Sequence, residues 1–134
     1  MSGALDVITH RPVMVDEILA LMRPRAGGCY VDATVGEGGH AEAILKASAP
    51  SGRVIGCDRD PDILEAARQR LAPFGPRCTL RHVDYRELAA RLPAEGIELV
   101  DGVLIDLGLS SYHLDQPDRG FSFRSLASAM SELL

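Results

Sequence analysis

Residues 31–40 have the sequence VDATVGEGGH, which decides the fold of this chain of 134 residues. An apolar, strand-like run leads into three glycines, and a helical pattern begins beyond them with Ala41, Ile44 and Leu45. A strand that turns through glycine into a helix lets backbone N–H groups approach a ligand, with the positive end of the helix dipole behind them. The stretch therefore predicts a ligand-binding turn, and a tight turn without a ligand is the alternative.

A second strand pattern ends at an aspartate. Residues 52–57 read GRVIGC and lead to Asp58, twenty residues after Gly38. A doubly wound nucleotide-binding fold places at this point the carboxylate that holds ribose hydroxyls. We interpret Asp58 as that carboxylate. The alternative is that Asp58 helps to cap the helix that Asp60 and Pro61 open.

The spacing of the glycines distinguishes two classes of ligand. A dinucleotide site has the pattern G-x-G-x-x-G, whereas this chain has Gly36-x-Gly38-Gly39-His40 and lacks the third glycine of that pattern. Glu37 lies within the loop, where its charge would repel a pyrophosphate. The zwitterionic tail and sulfonium of S-adenosylmethionine tolerate an acidic neighbour. The loop therefore predicts S-adenosylmethionine as the cofactor, and an NAD-binding oxidoreductase domain is the alternative.

Composition limits the class of protein. The length suits one domain, and the net charge of −5 argues against a general binder of polyanions. No apolar run is long enough to span a membrane, and the N-terminus lacks the pattern of a secretory signal. Cys29, Cys57 and Cys78 are odd in number and have no C-x-x-C spacing. We therefore expect buried, reduced thiols in a cytoplasmic protein that does not contact a membrane.

Alternating patterns indicate an α/β fold. Strand patterns cover 28–35, 52–58, 78–83 and 99–106, and helical patterns cover 39–48, 61–71 and 86–92, with an extra amphipathic helix over 12–22. Strands separated by helices predict parallel pairing with right-handed crossovers. The expected fold is a doubly wound, mainly parallel, Rossmann-like sheet.

Several motifs occur in order along the chain. They are HxPV (10–13), DATVGEGGH (32–40), GCDRDP (56–61), DGVLIDLGLSS (101–111), LD (114–115) and RGFSF (119–123). In this order the chain resembles the bacterial 16S ribosomal RNA (cytosine-N4)-methyltransferase family. The resemblance extends from His10 to about Arg124.

The resemblance implies transfer of a methyl group from S-adenosylmethionine to the N4 amine of a cytosine in the RNA of the small ribosomal subunit. The cofactor-binding residues it implies are Gly38, Gly39, His40, Asp58, Tyr85, Asp106 and His113. Asp106 would also be catalytic, holding the N4 hydrogens or accepting the proton.

Some of these residues have other interpretations. His40 could cap the helix or lie on the surface, and Tyr85 could be a half-buried core residue. Asp106 could be a solvated residue at the end of a strand. Asp32 could orient the glycine loop or make a local turn bond. The residue type of His10 does not indicate a role.

The chain departs from the family pattern at two places. His113 stands where the family has Gln, and residues 125–134 (SLASAMSELL) replace the family's continuation. The interpretation is an incomplete cofactor-binding domain over 1–124 and a divergent, amphipathic tail over 125–134. Without further strands, the sheet would have an unpaired edge beyond Asp106, which is a site of self-association. The apolar tail could cover this edge or drive the formation of a homodimer. We expect such a chain to bind cofactor but not to methylate ribosomal RNA by itself at a useful rate, and a non-catalytic fragment is the alternative.

Overall fold

The computed structural model describes residues 6–9, 15–106, 110–115 and 121–122, with side chains for residues 15–105. The strands are β1 Asp6–Thr9, β2 Cys29–Asp32, β3 Arg53–Asp58, β4 Cys78–His82, β5 Leu99–Val100, β6 Gly102–Asp106, β7 Ser110–Asp115 and β8 Phe121–Ser122. The α-helices are α1 Val15–Met22, α2 Gly39–Ala47, α3 Pro61–Leu71 and α4 Leu88–Ala94. Short 3-10 helices cover Ala72–Arg77 and Tyr85–Glu87.

Six strands form one sheet in the order β1-β7-β6-β2-β3-β4. Strands β6, β2, β3 and β4 are mutually parallel, whereas β7 runs antiparallel to both of its neighbours. From β2 the chain proceeds outward to β3 and β4, and β6 then pairs with the other side of β2. This reversal is a topological switch point, and open α/β sheets bind ligands outside the carboxyl ends of the strands at such a point.

Helices cover both faces of the sheet, as expected for a doubly wound fold. Helices α1, α2 and α3 pack on one face around Tyr30, Val54 and Leu104. Helix α4 packs on the other face, where Leu88 and Leu92 contact a buried cluster from the strands. Both expected features, the mainly parallel sheet and its helical layers, are confirmed. None of the helices in the described ranges combines the length and apolarity needed to cross a bilayer.

Helix α3 begins where its capping residues predict. Asp60 Oδ1 accepts hydrogen bonds from the N–H groups of Asp62 at 2.9 Å and of Ile63 at 3.3 Å. Pro61 occupies the first helical position, where a backbone N–H would have no partner within the helix. The missing N–H of proline therefore costs no hydrogen bond there. The local sequence alone therefore determines the start of this helix.

The single strand predicted over 99–106 is wrong. Asp101 divides it into β5, which pairs with β8 in a separate two-stranded sheet, and β6 of the main sheet. The Asp101 carboxylate accepts the N–H of Cys29 at 2.8 Å and pairs with Arg25 at 2.8 Å. These contacts with the start of β2 fix Asp101 between the two strands.

The unpaired edge predicted beyond Asp106 is also wrong. Strand β7 pairs antiparallel with the full length of β6, from Gly102 opposite Asp115 to Asp106 opposite Ser111. Strand β1 then pairs with β7, so that β1 and β4 are the edge strands among the residues that the structure describes. The homodimer was expected because of an unpaired edge beyond Asp106, and β7 occupies that edge. The tail at 125–134, His10 and the first residues of the predicted 12–22 helix lie outside the described residues.

Candidate functional site

Acidic residues end three of the four parallel strands at one edge of the sheet, which we call the carboxyl edge. Asp32 ends β2, Asp58 ends β3 and Asp106 ends β6. Because β2 and β6 flank the switch point, these strand ends border the crevice where a ligand is expected. The positions predicted from the sequence thus come together although they are distant in the chain.

Backbone hydrogen bonds hold the turn after β2 against its neighbouring strands. Ala33 donates to the carbonyl of Leu104 at 2.8 Å, and Val35 donates to the carbonyl of Cys57 at 2.8 Å. The first bond reaches β6 and the second reaches β3. The turn is therefore fixed to the strands on both sides of β2.

Gly38 is the N-cap of α2 and has a φ of 96°. A side chain is strained in this left-handed region. A Cβ at Gly38 would also lie 3.1 Å from Cδ1 of the buried Leu71. The glycine lets α2 begin close to α3, with the N–H groups of its first turn at the carboxyl edge. Gly39 is the first residue of α2, and a Cβ there would meet nothing closer than an Arg70 nitrogen at 3.6 Å.

The half-buried carboxylate of Asp58 connects the glycine turn to α3. Its Oδ2 accepts the N–H of Gly36 at 3.0 Å, and its Oδ1 accepts the N–H of Asp60 at 3.0 Å. The N-cap of α3 is Asp60. Asp58 therefore contributes to the start of α3 only through its hydrogen bond with the N–H of Asp60. Each Asp58 oxygen can accept a further hydrogen bond, which matches the two donors of a ribose diol. This site therefore fits an adenosine cofactor.

Asp32 is buried at the end of β2 and 1% exposed. Its Oδ1 accepts the N–H of Thr34 at 3.3 Å. This is the local turn bond that was one of the two roles expected for Asp32. Burial and, second, the Asp32 charge raise the pKa of the Cys57 thiol to about 12. All three cysteines are free thiols; Cys29 and Cys57 are buried as expected, whereas Cys78 is only partly buried.

Tyr85 follows β4 and is half-buried against the core on the α4 face. The guanidinium of Arg86 lies 6.0 Å from the centroid of its ring. This position supports the core interpretation and leaves part of the ring accessible at the carboxyl edge.

Asp84 is a residue that sequence reasoning missed. It caps the 3-10 helix by accepting the N–H of Arg86 at 2.9 Å. The Arg86 guanidinium also donates to both carboxylate oxygens, at 3.0 and 2.8 Å. These side-chain and backbone bonds lower the pKa of Asp84 to about 2. An acid two residues before an arginine, shortly after a strand, was the available signal.

Three predicted positions are defined by their place in the fold. His40 is the second residue of α2 and is half-buried. His113 lies in β7 opposite Leu104, which pairs on its other side with Asp32. The side chains of Asp106 and His113 lie outside the described range, so their roles, like that of His40, stay predictions.

Two solved structures with a similar fold are methyltransferases. An RNA methyltransferase from Salinibacter ruber in complex with S-adenosyl-L-homocysteine matches 83% of this chain and 95% of its own, with a TM-score of 0.55 and 17% identity. A SAM-dependent O-methyltransferase from Thermotoga maritima matches 75% of this chain and 36% of its own, with a TM-score of 0.58 and 19% identity. The fold is therefore the Rossmann-like fold of S-adenosylmethionine-dependent methyltransferases.

Sequence comparison is more specific. The model of the MraW methylase family matches residues 7–130. The ribosomal RNA small subunit methyltransferase H of Syntrophotalea carbinolica is 48% identical over 120 residues, which are 90% of this chain and 38% of that protein. The methyltransferase of the same name from Geobacter sulfurreducens is 50% identical over 115 residues, 86% of this chain and 37% of that protein. The chain belongs to the MraW methylase family, and it spans less than two-fifths of the length of these relatives.

Proposed function

We propose that this chain forms the cofactor-binding part of an S-adenosylmethionine-dependent enzyme that methylates the N4 amine of a cytosine in small-subunit ribosomal RNA. The observation that carries the proposal is the convergence of the Gly38 turn, Asp58 and Asp106 at the switch point of the sheet. The names of the curated relatives support the substrate. The small ribosomal subunit would be the partner, in the cytoplasm.

The residues of the carboxyl edge would hold different parts of the cofactor. When bound, S-adenosylmethionine supplies a sulfonium methyl group as the electrophile. The N–H groups at the start of α2, from Gly39 onward, would bind its carboxylate. Asp58 would accept the ribose hydroxyls, and Tyr85 would border the adenine. Exposed Glu37 is compatible with a cationic sulfonium.

Asp106 would act on the substrate base. The exocyclic amine of cytosine is a poor nucleophile because its lone pair is delocalised into the ring. A carboxylate at the end of β6 would orient the N4 hydrogens and accept the proton that is lost. Positioning of this kind can reach effective molarities of about 10⁵ M or more. The target base must leave its stack, which costs little in an RNA loop.

The proposal assigns cofactor binding to residues 1–124 and a separate tail to 125–134. His40 and His113 would complete the binding surface around the amino-acid end of the cofactor. In this assignment the isolated chain binds cofactor and transfers methyl groups slowly.

Calorimetric titration of the chain with S-adenosylmethionine, S-adenosylhomocysteine and NAD tests the cofactor. We expect both sulfur compounds to bind more tightly than NAD. Binding of NAD with equal affinity would contradict the proposal and favour the oxidoreductase alternative. Incubation with small ribosomal subunits and labelled cofactor then tests transfer. Cofactor binding without any N4-methylcytosine is the result for a non-catalytic fragment, and stoichiometric product would contradict slow transfer.

A further inference from the structure

Arginines are concentrated at the edge of the sheet opposite the candidate site. Three segments join α1 to β2, α2 to β3 and α3 to β4, and they read RPRAGG (23–28), SAPSGR (48–53, which includes the first residue of β3) and APFGPR (72–77). Together they contain four arginines and no aspartate or glutamate. We call Arg23, Arg25, Arg53 and Arg77 the amino-edge arginines. The remaining connection, from α4 to β5, reads EGIE (95–98) and is acidic, so the positive charge is confined to the starts of β2, β3 and β4.

Hydrogen bonds join the three segments into one surface. Gly28 donates to the carbonyl of Arg25 at 3.0 Å, and Arg53 donates to the carbonyl of Gly28 at 2.9 Å. The side chain of Arg77 reaches the carbonyl of Gly52 at 2.8 Å. Arg23 directly follows α1 and lies two residues before Arg25. The amino-edge arginines are therefore neighbours in space.

Most of their charge is uncompensated. Arg25 pairs with Asp101 at 2.8 Å, yet its side chain is 66% exposed. Arg77 donates to the carbonyl oxygens of Gly52 and Leu45, which leave its positive charge intact. Arg23 and Arg53 are exposed, and neither pairs with a carboxylate among the residues whose side chains are described. The surface thus presents two exposed guanidinium groups, those of Arg23 and Arg53, beside the Arg25–Asp101 pair.

We infer that the amino-edge arginines bind phosphates of the RNA that carries the target base. This inference rests on the proposed function and adds a second contact surface to it. Arginine suits this role because its planar fork pairs with phosphate oxygens and stays charged at any physiological pH. The six residues of β3 separate the two edges by about 20 Å. A folded ribosomal RNA is large enough to contact both edges at once, whereas a free nucleotide is not.

The salt dependence of RNA binding tests the inference. The probe is a 16S ribosomal RNA transcript, bound to the 134-residue chain at a series of salt concentrations. The test variant is Arg23→Gln with Arg53→Gln, because both side chains are exposed. The control is Arg68→Gln with Arg91→Gln, exposed arginines of α3 and α4 that pair with Glu65 at 3.3 Å and Glu87 at 3.9 Å. Both double variants change the net charge equally.

We expect the slope of log affinity against log salt to fall by roughly 1.4–1.8 in the test variant and to stay unchanged in the control. Equal slopes in the two variants would overturn the inference, as would a wild-type chain that does not bind the transcript or prefers phosphatidylglycerol vesicles. Cofactor titration of the same variants keeps the two proposals separate. Normal cofactor binding with an unchanged slope contradicts only the arginine surface, and a reduced slope without cofactor binding contradicts only the proposed function.

Discussion

The carboxylate of Asp58 accepts the backbone N–H of Gly36 at 3.0 Å, which ties the end of β3 to the glycine turn after β2. The residue that would bind the ribose therefore also fixes the turn that would bind the rest of the cofactor. We predict that Asp58→Ala lowers cofactor affinity by about 1.5–3 kcal/mol, the range for hydrogen bonds to a charged group. Isothermal titration with S-adenosylhomocysteine measures the change.

Asp60→Ala is the matched control for this experiment. Asp60 is the N-cap of α3 and its carboxylate accepts the N–H groups of Asp62 and Ile63. Its removal should cost about 1 kcal/mol of unfolding free energy and leave cofactor affinity unchanged. If Asp58→Ala behaves in the same way, Asp58 is a structural residue and does not bind ribose.

Gly38→Ala should destabilise the chain, whereas Gly39→Ala should not. Alanine at Gly38 would adopt a φ of 96° and bring its Cβ to 3.1 Å from Leu71. The left-handed conformation alone costs about 1–2 kcal/mol. Gly39 has space for a Cβ and lies in helical conformation, so alanine is tolerated there. Urea unfolding of both variants measures the difference, and equal stabilities would contradict this role of Gly38.

Local chemistry explains which elements the sequence predicts. The start of α3 follows from Asp60 and Pro61, whose capping interactions involve only the next residues. The division between β5 and β6 depends on Asp101 reaching Cys29, 72 residues earlier, and no local pattern contains that contact. Strand β7 is defined by its pairing with β6 and β1.

The same distinction applies to the candidate site. The position of Asp58 after the second strand follows from the repeating α/β pattern and the twenty-residue spacing from Gly38. Its bond to Gly36 depends on the packing of β2 beside β3, which places residues 22 positions apart in contact. Sequence analysis missed Asp84 because bonds such as those to Arg86 are common in any surface turn. Only its position after β4 makes Asp84 a candidate residue of the site.

The Asp84–Arg86 pair predicts a change of stability at acidic pH. Because the folded state lowers the pKa of Asp84 from 3.8 to about 2, its stabilising contribution is complete above pH 4 and is lost as the pH falls toward 2. The difference in unfolding free energy between wild type and Asp84→Asn should therefore be constant above pH 4 and shrink below it. Urea titrations from pH 2.5 to 5 measure this difference, and a constant value throughout would exclude the effect.

The cysteines should be unreactive in the folded chain. Burial is the largest cause that raises the pKa of Cys57 to about 12, that of Cys78 to about 11 and that of Cys29 above its usual range. Because the thiolate is the reactive form, a disulfide reagent at pH 8 should modify none of them rapidly until urea unfolds the chain. Cys78 is the least buried and should react first in the native state. Rapid modification of Cys57 before Cys78 would contradict the burial of β3.

Arg23→Gly should stabilise the chain. Arg23 follows α1, donates its N–H to the carbonyl of Leu19 at 2.9 Å, and has a φ of 48°. This left-handed position at the end of a helix is usually occupied by glycine. Relief of the strain is worth about 1–2 kcal/mol, and the greater freedom of glycine in the unfolded chain offsets about 0.4–1 kcal/mol of it. We therefore expect a net gain of roughly 0.5–1 kcal/mol, measured by urea unfolding. Arg23→Ala is the control because it removes the same side chain but keeps the strain, and it should give no gain. An equal gain from both substitutions would assign the effect to the lost arginine charge instead of the backbone.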